Sequence, residues 1–204
     1  SDGRKLYFTS DRPGGYGGTD IWVSEVSNSG WSKPKNLGPS VNTSKDEQFP
    51  FIHADNNTLY FSSNGHPGMG KTDLYLVRKI DDNSWESPIN LGYPINTQGQ
   101  DWNLVVARNG KTAYFSSDQL NGLGGLDIYT FELPIKLQAE KVNYLRGYVR
   151  DAITKLPLSA NVELTPITGE SSTITYANPD KGMFLVPLKT NMEYALTIDK
   201  PFFL

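Results

Sequence analysis

The sequence lacks cysteine entirely among its 204 residues. Disulfides, zinc–thiolate sites and thiol nucleophiles are therefore excluded. It also lacks a strong charge bias, because 19 basic residues against 22 acidic ones leave a net charge of −3. Such a balance gives no electrostatic attraction for nucleic acid or an anionic membrane. No apolar run is long enough to cross a bilayer as a helix. We expect no nucleic-acid partner and no transmembrane segment in this chain.

Residues that suit strands and turns are plentiful. The chain has 19 glycines, 13 prolines and 12 % aromatic residues, and few of its stretches have the periodicity of a helix. This composition favours an all-β protein.

One motif occurs three times along the chain. Each copy opens with Tyr-Phe-(Thr/Ser)-Ser, passes through a loop rich in glycine, and ends at Asp-(Ile/Leu)-(Trp/Tyr). The tyrosine and the aspartate are 13 residues apart in every copy, and these pairs are Tyr7 and Asp20, Tyr60 and Asp73, Tyr114 and Asp127. A fixed period of roughly 50 residues is typical of a repeat architecture.

The middle copy divides into four strand-sized pieces, which are residues 47–52, 58–62, 73–80 and 85–91. The second piece is apolar on both faces, as expected for a strand that is covered on both sides. Four antiparallel strands buried on both faces are typical of a β-propeller blade. The fourth piece carries Trp-x-x-Pro-x-Asn-Leu-Gly, which also occurs at residues 31–38. Proline favours an edge strand, so we expect Trp31 and Trp85 to be buried at the outer end of each blade.

The strand count predicts an incomplete propeller of about three blades. The first copy lacks its opening strand, and the third lacks the Trp-x-x-Pro strand. A propeller ring needs roughly four to eight blades. We therefore expect residues 1–133 to be the last part of a propeller whose other blades lie upstream in a longer protein.

A second pattern follows residues 134–143, which we interpret as a linker. Val162 and Leu164 alternate with polar residues, as do Tyr194, Leu196 and Ile198. This alternation predicts the half-buried strands of a small β-sandwich over residues 144–204. We expect that sandwich to be truncated at its carboxyl end.

The repeat resembles the TolB-type, WD-repeat-like β-propeller repeat. Its long form, with Trp-x-x-Pro-x-Asn-Leu-Gly and Gly-Gly-x-Asp, is similar to the propellers of OmpA-family periplasmic lipoproteins of Bacteroidota. The later motifs, Gly-x-Val-x-Asp at 147–151 and Pro-Leu-x-Ala-x-Val-x-Leu at 157–164, resemble the carboxypeptidase-regulatory-like domain, a transthyretin-like sandwich. Asn191 stands where that family usually has a glycine, and asparagine also tolerates positive φ.

The resemblance implies a non-catalytic scaffold of the periplasm, associated with the outer membrane through a lipid anchor. It would hold other envelope or secretion-system proteins, support type IX secretion, and bind peptidoglycan through a domain outside this chain. Two alternatives stay open. The chain would otherwise be a glycan-binding accessory module, or the non-catalytic propeller of a serine peptidase.

The residue patterns themselves predict no enzyme, cofactor or metal. The glycine-rich loop at residues 13–18 joins two strands and lacks the following helix that phosphate binding needs. His53 and His66 have no partner at ligand spacing. The adjacent acidic pairs at 46–47 and 81–82 point to opposite faces of a strand. We expect Asp20, Asp73 and Asp127 to be structural and to accept hydrogen bonds from loop amides.

Three aromatic residues in or near loops form a candidate surface for a ligand or a partner. They are Tyr16, Tyr93 and Trp102. Aromatic rings stack on sugars and peptides, but they chiefly supply buried area. The alternative interpretation is that these three side chains cover blade ends and linkers.

Overall fold

The computed structural model describes residues 3–27, 30–120, 122–169 and 172–201. These residues form an all-β protein built of antiparallel sheets, and the one helical element among them is a short 3₁₀ turn, Ile135–Leu137. The chain divides into two compact units, Gly3–Lys141 and Val142–Leu204.

The first unit contains three sheets in chain order. The first sheet consists of β1 (Lys5–Ser10), β2 (Asp20–Ser27), β3 (Gly30–Trp31) and β4 (Lys35–Asn36). The second consists of β5 (Glu47–Ile52), β6 (Thr58–Ser63), β7 (Asp73–Asp81), β8 (Ser84–Trp85) and β9 (Ile89–Asn90). The third consists of β10 (Asp101–Val106), β11 (Thr112–Ser117) and β12 (Asp127–Glu132). The three copies of the motif thus build three sheets, one per copy.

The outer edge of the first two sheets is a broken strand. In the first sheet, β3 and β4 both pair with β2, and in the second sheet β8 and β9 both pair with β7. Pro34 and Pro88 lie in the gaps between these short pieces. Proline has no amide hydrogen to donate to a neighbouring strand, so the strand pairing is interrupted at each proline and no further strand is added there.

The three sheets pack together through two apolar cores, one between each pair of neighbouring sheets. All six residues of β6 are buried, so this strand is covered on both faces. Leu59 and Phe61 face a core shared with the first sheet, whereas Tyr60 faces a core shared with the third. Full burial of one such side chain contributes about 1.5–3 kcal/mol. The middle sheet is therefore the one that both cores hold in place.

Equivalent residues of the end sheets are less buried. Leu74 of the middle sheet is completely buried, but its equivalent in the third sheet, Ile128, is 79 % exposed. Trp85 is 6 % exposed because the ring of Tyr7 packs against it, with centroids 6.1 Å apart. Trp31 departs from the expectation of burial and is 55 % exposed, since no other sheet of the described residues covers that face of the first sheet.

The segment that the sequence predicts to be a linker packs against the first unit up to Lys141. Leu137 is buried, and its carbonyl accepts a hydrogen bond from the Tyr60 hydroxyl at 2.7 Å. Arg78 Nη2 donates to the carbonyls of Lys136 and Gln138 at 3.0 and 3.2 Å. These contacts make residues 134–141 part of the first unit rather than a free connection.

The second unit contains two sheets. One pairs β13 (Val142–Tyr148) with β16 (Met183–Lys189), and the other places β14 (Asn161–Pro166) between β15 (Thr173–Tyr176) and β17 (Tyr194–Asp199). Both sheets contribute to one core, whose buried residues are Val162, Leu164, Phe184 and Val186. Asn191 has a φ of 60°, so the asparagine does adopt the left-handed conformation that its place in the turn requires.

Candidate functional site

The three repeated aspartates accept hydrogen bonds from amides of their own loops. The donors are the amides of Tyr16 (2.6 Å, to Asp20), of Met69 and Gly70 (3.0 and 3.1 Å, to Asp73) and of Gly124 (3.0 Å, to Asp127). In each case the acceptor is the Oδ2 atom. A carboxylate that gathers loop amides in this way holds the loop in one conformation.

The glycines of these loops make room for the carboxylates. A Cβ atom placed on Gly15, Gly68 or Gly122 would overlap Oδ2 of the aspartate in the same copy. In the first loop, at residues 13–18, only Gly14 has a positive φ. Close approach to the carboxylate, more than turn conformation, therefore accounts for the conserved spacing of glycine within this chain.

A repeated asparagine was not identified from the sequence as a structural element. Asn42 lies buried next to β2, where its Oδ1 accepts from the Ile21 amide (2.8 Å) and its Nδ2 donates to the Ile21 carbonyl (3.0 Å). Asn96 makes the same two bonds to Leu74, at 2.8 and 3.0 Å. The matching Val-Asn-Thr and Ile-Asn-Thr segments of the sequence could have indicated this role. A side-chain amide has one acceptor and one donor group, so it can pair with the amide and the carbonyl of one backbone residue as a neighbouring strand does.

Two more buried carboxylates lie at the start of the second and third sheets. Glu47 and Asp101 are fully buried, and each accepts from the amide and the hydroxyl of a nearby threonine, Thr43 or Thr97. Burial raises the pKa of Asp73, and the negative charge of Asp101 adds to the increase. Each carboxylate has its own threonine or loop donors, which is the arrangement of structural acids rather than of a pair acting on one substrate.

Both histidines bind carbonyl groups of the fold. His53 is buried, and its Nε2 lies 3.1 Å from the Ala107 carbonyl, which can only accept. Its Nδ1 lies 3.2 Å from the Asp55 amide nitrogen and 3.5 Å from Asp55 Oδ2. His66 Nε2 donates to the Val41 carbonyl at 2.8 Å. Within residues 3–27, 30–120, 122–169 and 172–201, no three acidic or histidine side chains converge in a way that would hold a metal ion.

The three candidate aromatic residues are not brought together. Tyr16 is 52 % and Tyr93 81 % exposed, and in the described part of the chain neither makes a ring contact. Trp102 packs on Phe49 of the neighbouring sheet, with ring centroids 5.7 Å apart. Phe49 has a φ of 51°, which is unusual for a bulky residue and turns its side chain at a bulge in β5. No sequence pattern predicts this pair, because the contact depends on that bulge.

The third sheet presents an open edge beside an apolar cavity. Within the described residues, β12 pairs with β11 on one side and with no strand on the other. A cavity of about 250 Å³ lies next to it. Its lining residues are Pro94, Ile95, Phe115, Leu120, Tyr129, Thr130 and Phe131. Exposed backbone groups and an adjoining apolar cavity are the two features that a bound strand requires.

A second cavity, of about 340 Å³, lies in the second unit. Two cations border it, and both donate to backbone carbonyls: Arg150 to Lys155 at 3.2 Å and Lys200 to Ser159 at 3.0 Å. These bonds hold the connection between β13 and β14 in place. They explain the position of both cations, and no bound ligand is needed to explain it.

No family model matches the chain, and no curated protein matches it significantly. No helix among the described residues is long and apolar enough to cross a membrane.

Proposed function

We propose that the chain is a non-catalytic scaffold module, made of about three blades of a β-propeller followed by a small transthyretin-like sandwich. The observation that carries this proposal is the repeat itself. Three sheets with the same order of strands pack through two apolar cores, and their polar repeat positions are used to hold loops. Large surfaces on a rigid repeated framework suit the binding of other proteins.

The proposal extends to the cell envelope through the resemblance of the motifs. The parent protein would be PorE-like: a lipoprotein of the outer membrane that faces the periplasm and contributes to type IX secretion. Peptidoglycan binding would belong to a domain outside these 204 residues. The architecture of the described residues supports the scaffold part, whereas the anchoring part rests on the resemblance of the motifs alone.

The test is to identify what the parent protein contacts in its native cells. A tagged parent would be cross-linked in intact cells, purified, and analysed by mass spectrometry together with its own intact mass and sequence. We expect secretion-system or other envelope proteins among the cross-linked products, and a peptidoglycan-binding segment in the parent. Labelling of the parent by a serine-hydrolase probe, or cross-links to none of these proteins, would contradict the proposal.

A second candidate function is glycan binding, which the Phe49–Trp102 pair favours. Phe49 is 38 % exposed, and adjacent aromatic rings at a surface are a stacking platform for sugars. A glycan array on the protein would distinguish the two functions. Binding that is lost in Phe49→Ala, in a variant that keeps its thermal stability, would favour the accessory-module function over the scaffold.

A further inference from the structure

Each glycine-rich loop presents one large apolar side chain at the same position. Tyr16, Met69 and Leu123 each lie four residues before the aspartate of their copy, between two glycines. Tyr16 is 52 % exposed, Met69 is 49 % exposed, and Leu123 is fully exposed. In the first two loops the amide of this residue donates to the aspartate, and in the third the amide of the next residue does so. The carboxylate thus holds each loop at the point where the apolar side chain leaves the backbone.

The structure of the loops explains the neighbours of this side chain but not the side chain itself. The preceding glycine makes room for the carboxylate. The following glycine, Gly17 or Gly70, lies against the segment that leads into the next sheet, where a Cβ atom would overlap the carbonyl of Lys45 or of Thr97. The apolar side chain between them is largely in water, where a polar residue would serve equally well. One exposed apolar residue is ordinary, but the same choice in all three copies points to a binding surface.

The three loops lie at the same end of the first unit. The Glu47 amide donates to the Thr19 carbonyl at 2.7 Å, and the Asp101 amide donates to the Thr72 carbonyl at 3.0 Å, so the step from one sheet to the next is repeated. Neighbouring sheets pack about 10 Å apart, which places neighbouring apolar side chains at about that spacing. Further blades of a ring would pack against the flat faces of the end sheets and would leave these loops uncovered.

The charges beside the loops favour an acidic partner. Lys45 lies between the first and second loops, and Lys71 belongs to the second. Both are exposed, and neither forms an ion pair within the part of the chain that the structure describes. The carboxylates of Asp46 and Asp118 accept hydrogen bonds from amides of neighbouring loops, whereas Asp11 is exposed. Two exposed cations between apolar side chains suit a partner that carries carboxylates beside apolar groups.

An α-helix matches the spacing as well as the charge. Helix residues seven positions apart lie on one face and are about 10.5 Å apart, close to the spacing of the loops. Tyrosine and methionine are among the residues enriched in protein interfaces, and glycine beside them lets a partner approach the backbone closely. An anionic lipid surface would share the charge, but it has no fixed spacing that one apolar side chain per sheet would match.

We propose that the three loops bind an acidic amphipathic helix of a partner protein. The apolar face of the helix lies on Tyr16, Met69 and Leu123, and its carboxylates lie near Lys45 and Lys71. This inference deepens the scaffold function and rests on it, since it names one surface and one class of partner.

The direct test uses a fluorescently labelled synthetic helix of about 20 residues, with leucine at every seventh position, glutamate on both sides of the leucines and alanine elsewhere. Fluorescence anisotropy is measured while the 204-residue protein is titrated in. We expect saturable binding with a dissociation constant below about 1 mM. A peptide of the same composition with its leucines placed on different faces should bind at least about tenfold more weakly. So should a peptide with lysine in place of glutamate.

Two protein variants locate the site. The double substitution Tyr16→Ser and Met69→Ser removes two apolar contacts and should weaken peptide binding at least about tenfold. Ile80→Ser is the matched control, because Ile80 is 65 % exposed and lies at the end of β7 that is far from the second loop. It should bind within about twofold of the unaltered protein. Thermal unfolding verifies that both variants fold.

Three results would overturn the inference. The first is an absence of saturable binding up to about 1 mM. The second is equal binding of the peptide with displaced leucines, or equal binding by the folded double variant. The third is binding to phosphatidylglycerol vesicles, lost in the double variant, by a protein that does not bind the peptide, which would assign the loops to a lipid surface. All three concern purified components, so they are distinguishable from an absence of envelope partners in the cross-linking experiment.

Discussion

Tyr7 of β1 and Trp85 of β8 meet edge to face, with ring centroids 6.1 Å apart and planes inclined at 82°. This contact joins the first sheet to the outer end of the second. Its equivalent at Trp31 is missing, because no sheet of the described residues lies against that tryptophan. Two tryptophans with the same motif position therefore have different energetic roles.

Replacement of the two tryptophans should show that difference. Trp85→Ala removes a buried aromatic side chain and should lower the free energy of unfolding by about 3–5 kcal/mol. Trp31→Ala removes an exposed one and should cost less than about 1 kcal/mol. Urea denaturation followed by circular dichroism measures both. Equal losses would show that Trp31 is buried in solution by a surface that the described residues do not provide.

Asp55 should make the first unit sensitive to acid. Burial acts to raise the pKa of Asp55, but hydrogen bonds from His53, Asn57 and Thr58 outweigh it and hold the pKa below its ordinary value. A depressed pKa contributes stability that is present above about pH 4 and is lost as the pH falls through the folded-state pKa.

The measurement is the urea midpoint between about pH 2 and 7 for the protein and for Asp55→Asn. We expect the variant to be less stable at neutral pH and to lose less stability on acidification. Asp11→Asn is the control, because Asp11 is exposed. Parallel pH profiles for the protein and Asp55→Asn would contradict the role of this carboxylate.

The contact between Gly15 and Asp20 should appear as an energetic coupling. A Cβ atom on Gly15 would overlap the Asp20 carboxylate, so Gly15→Ala should destabilise the protein by about 1–3 kcal/mol. The cost should shrink in an Asp20→Ala background, giving a coupling energy of about 0.5–3 kcal/mol in a double-mutant cycle. Gly125→Ala serves as the control, since a Cβ atom there meets nothing within 4 Å. Additive effects of the two substitutions would rule out the contact.

Asn96 should contribute to the stability of the first unit, because its buried side chain binds the backbone of Leu74. Its side chain satisfies both backbone groups of Leu74 inside the protein. Asn96→Ala leaves the Leu74 amide without a partner, at a cost of about 1–3 kcal/mol, whereas the Leu74 carbonyl still accepts from the Leu91 amide at 3.0 Å. Calorimetry or chemical denaturation should show a loss of about 1–3 kcal/mol in the free energy of unfolding. A loss below about 0.5 kcal/mol would mean that water replaces the amide, as happens at exposed sites.

The sequence was sufficient to predict features that depend on spacing. The interval from Tyr7 to Asp20 marks a hairpin, and the prolines at 34 and 88 mark an edge strand, because both depend on local geometry. The sequence predicted that edge as one strand over residues 85–91, whereas the structure divides it into β8 and β9. Features that depend on distant contacts could not be predicted in this way. The burial of Asn96, the docking of Leu137 under Tyr60, and the Phe49–Trp102 pair each require that separate sheets be placed first.

The position of β6 between two cores has a consequence for how the first unit opens. Local opening requires the least free energy where few buried apolar contacts must be broken, and the most where such contacts are numerous. The end sheets each contribute to one core, whereas the middle sheet contributes to both. Amide protection should therefore be graded, slowest at β6 and faster towards β1 and β12. A partner that binds an end sheet would contact the part of the first unit whose local opening requires the least free energy. The middle sheet would meanwhile keep its strand pairing.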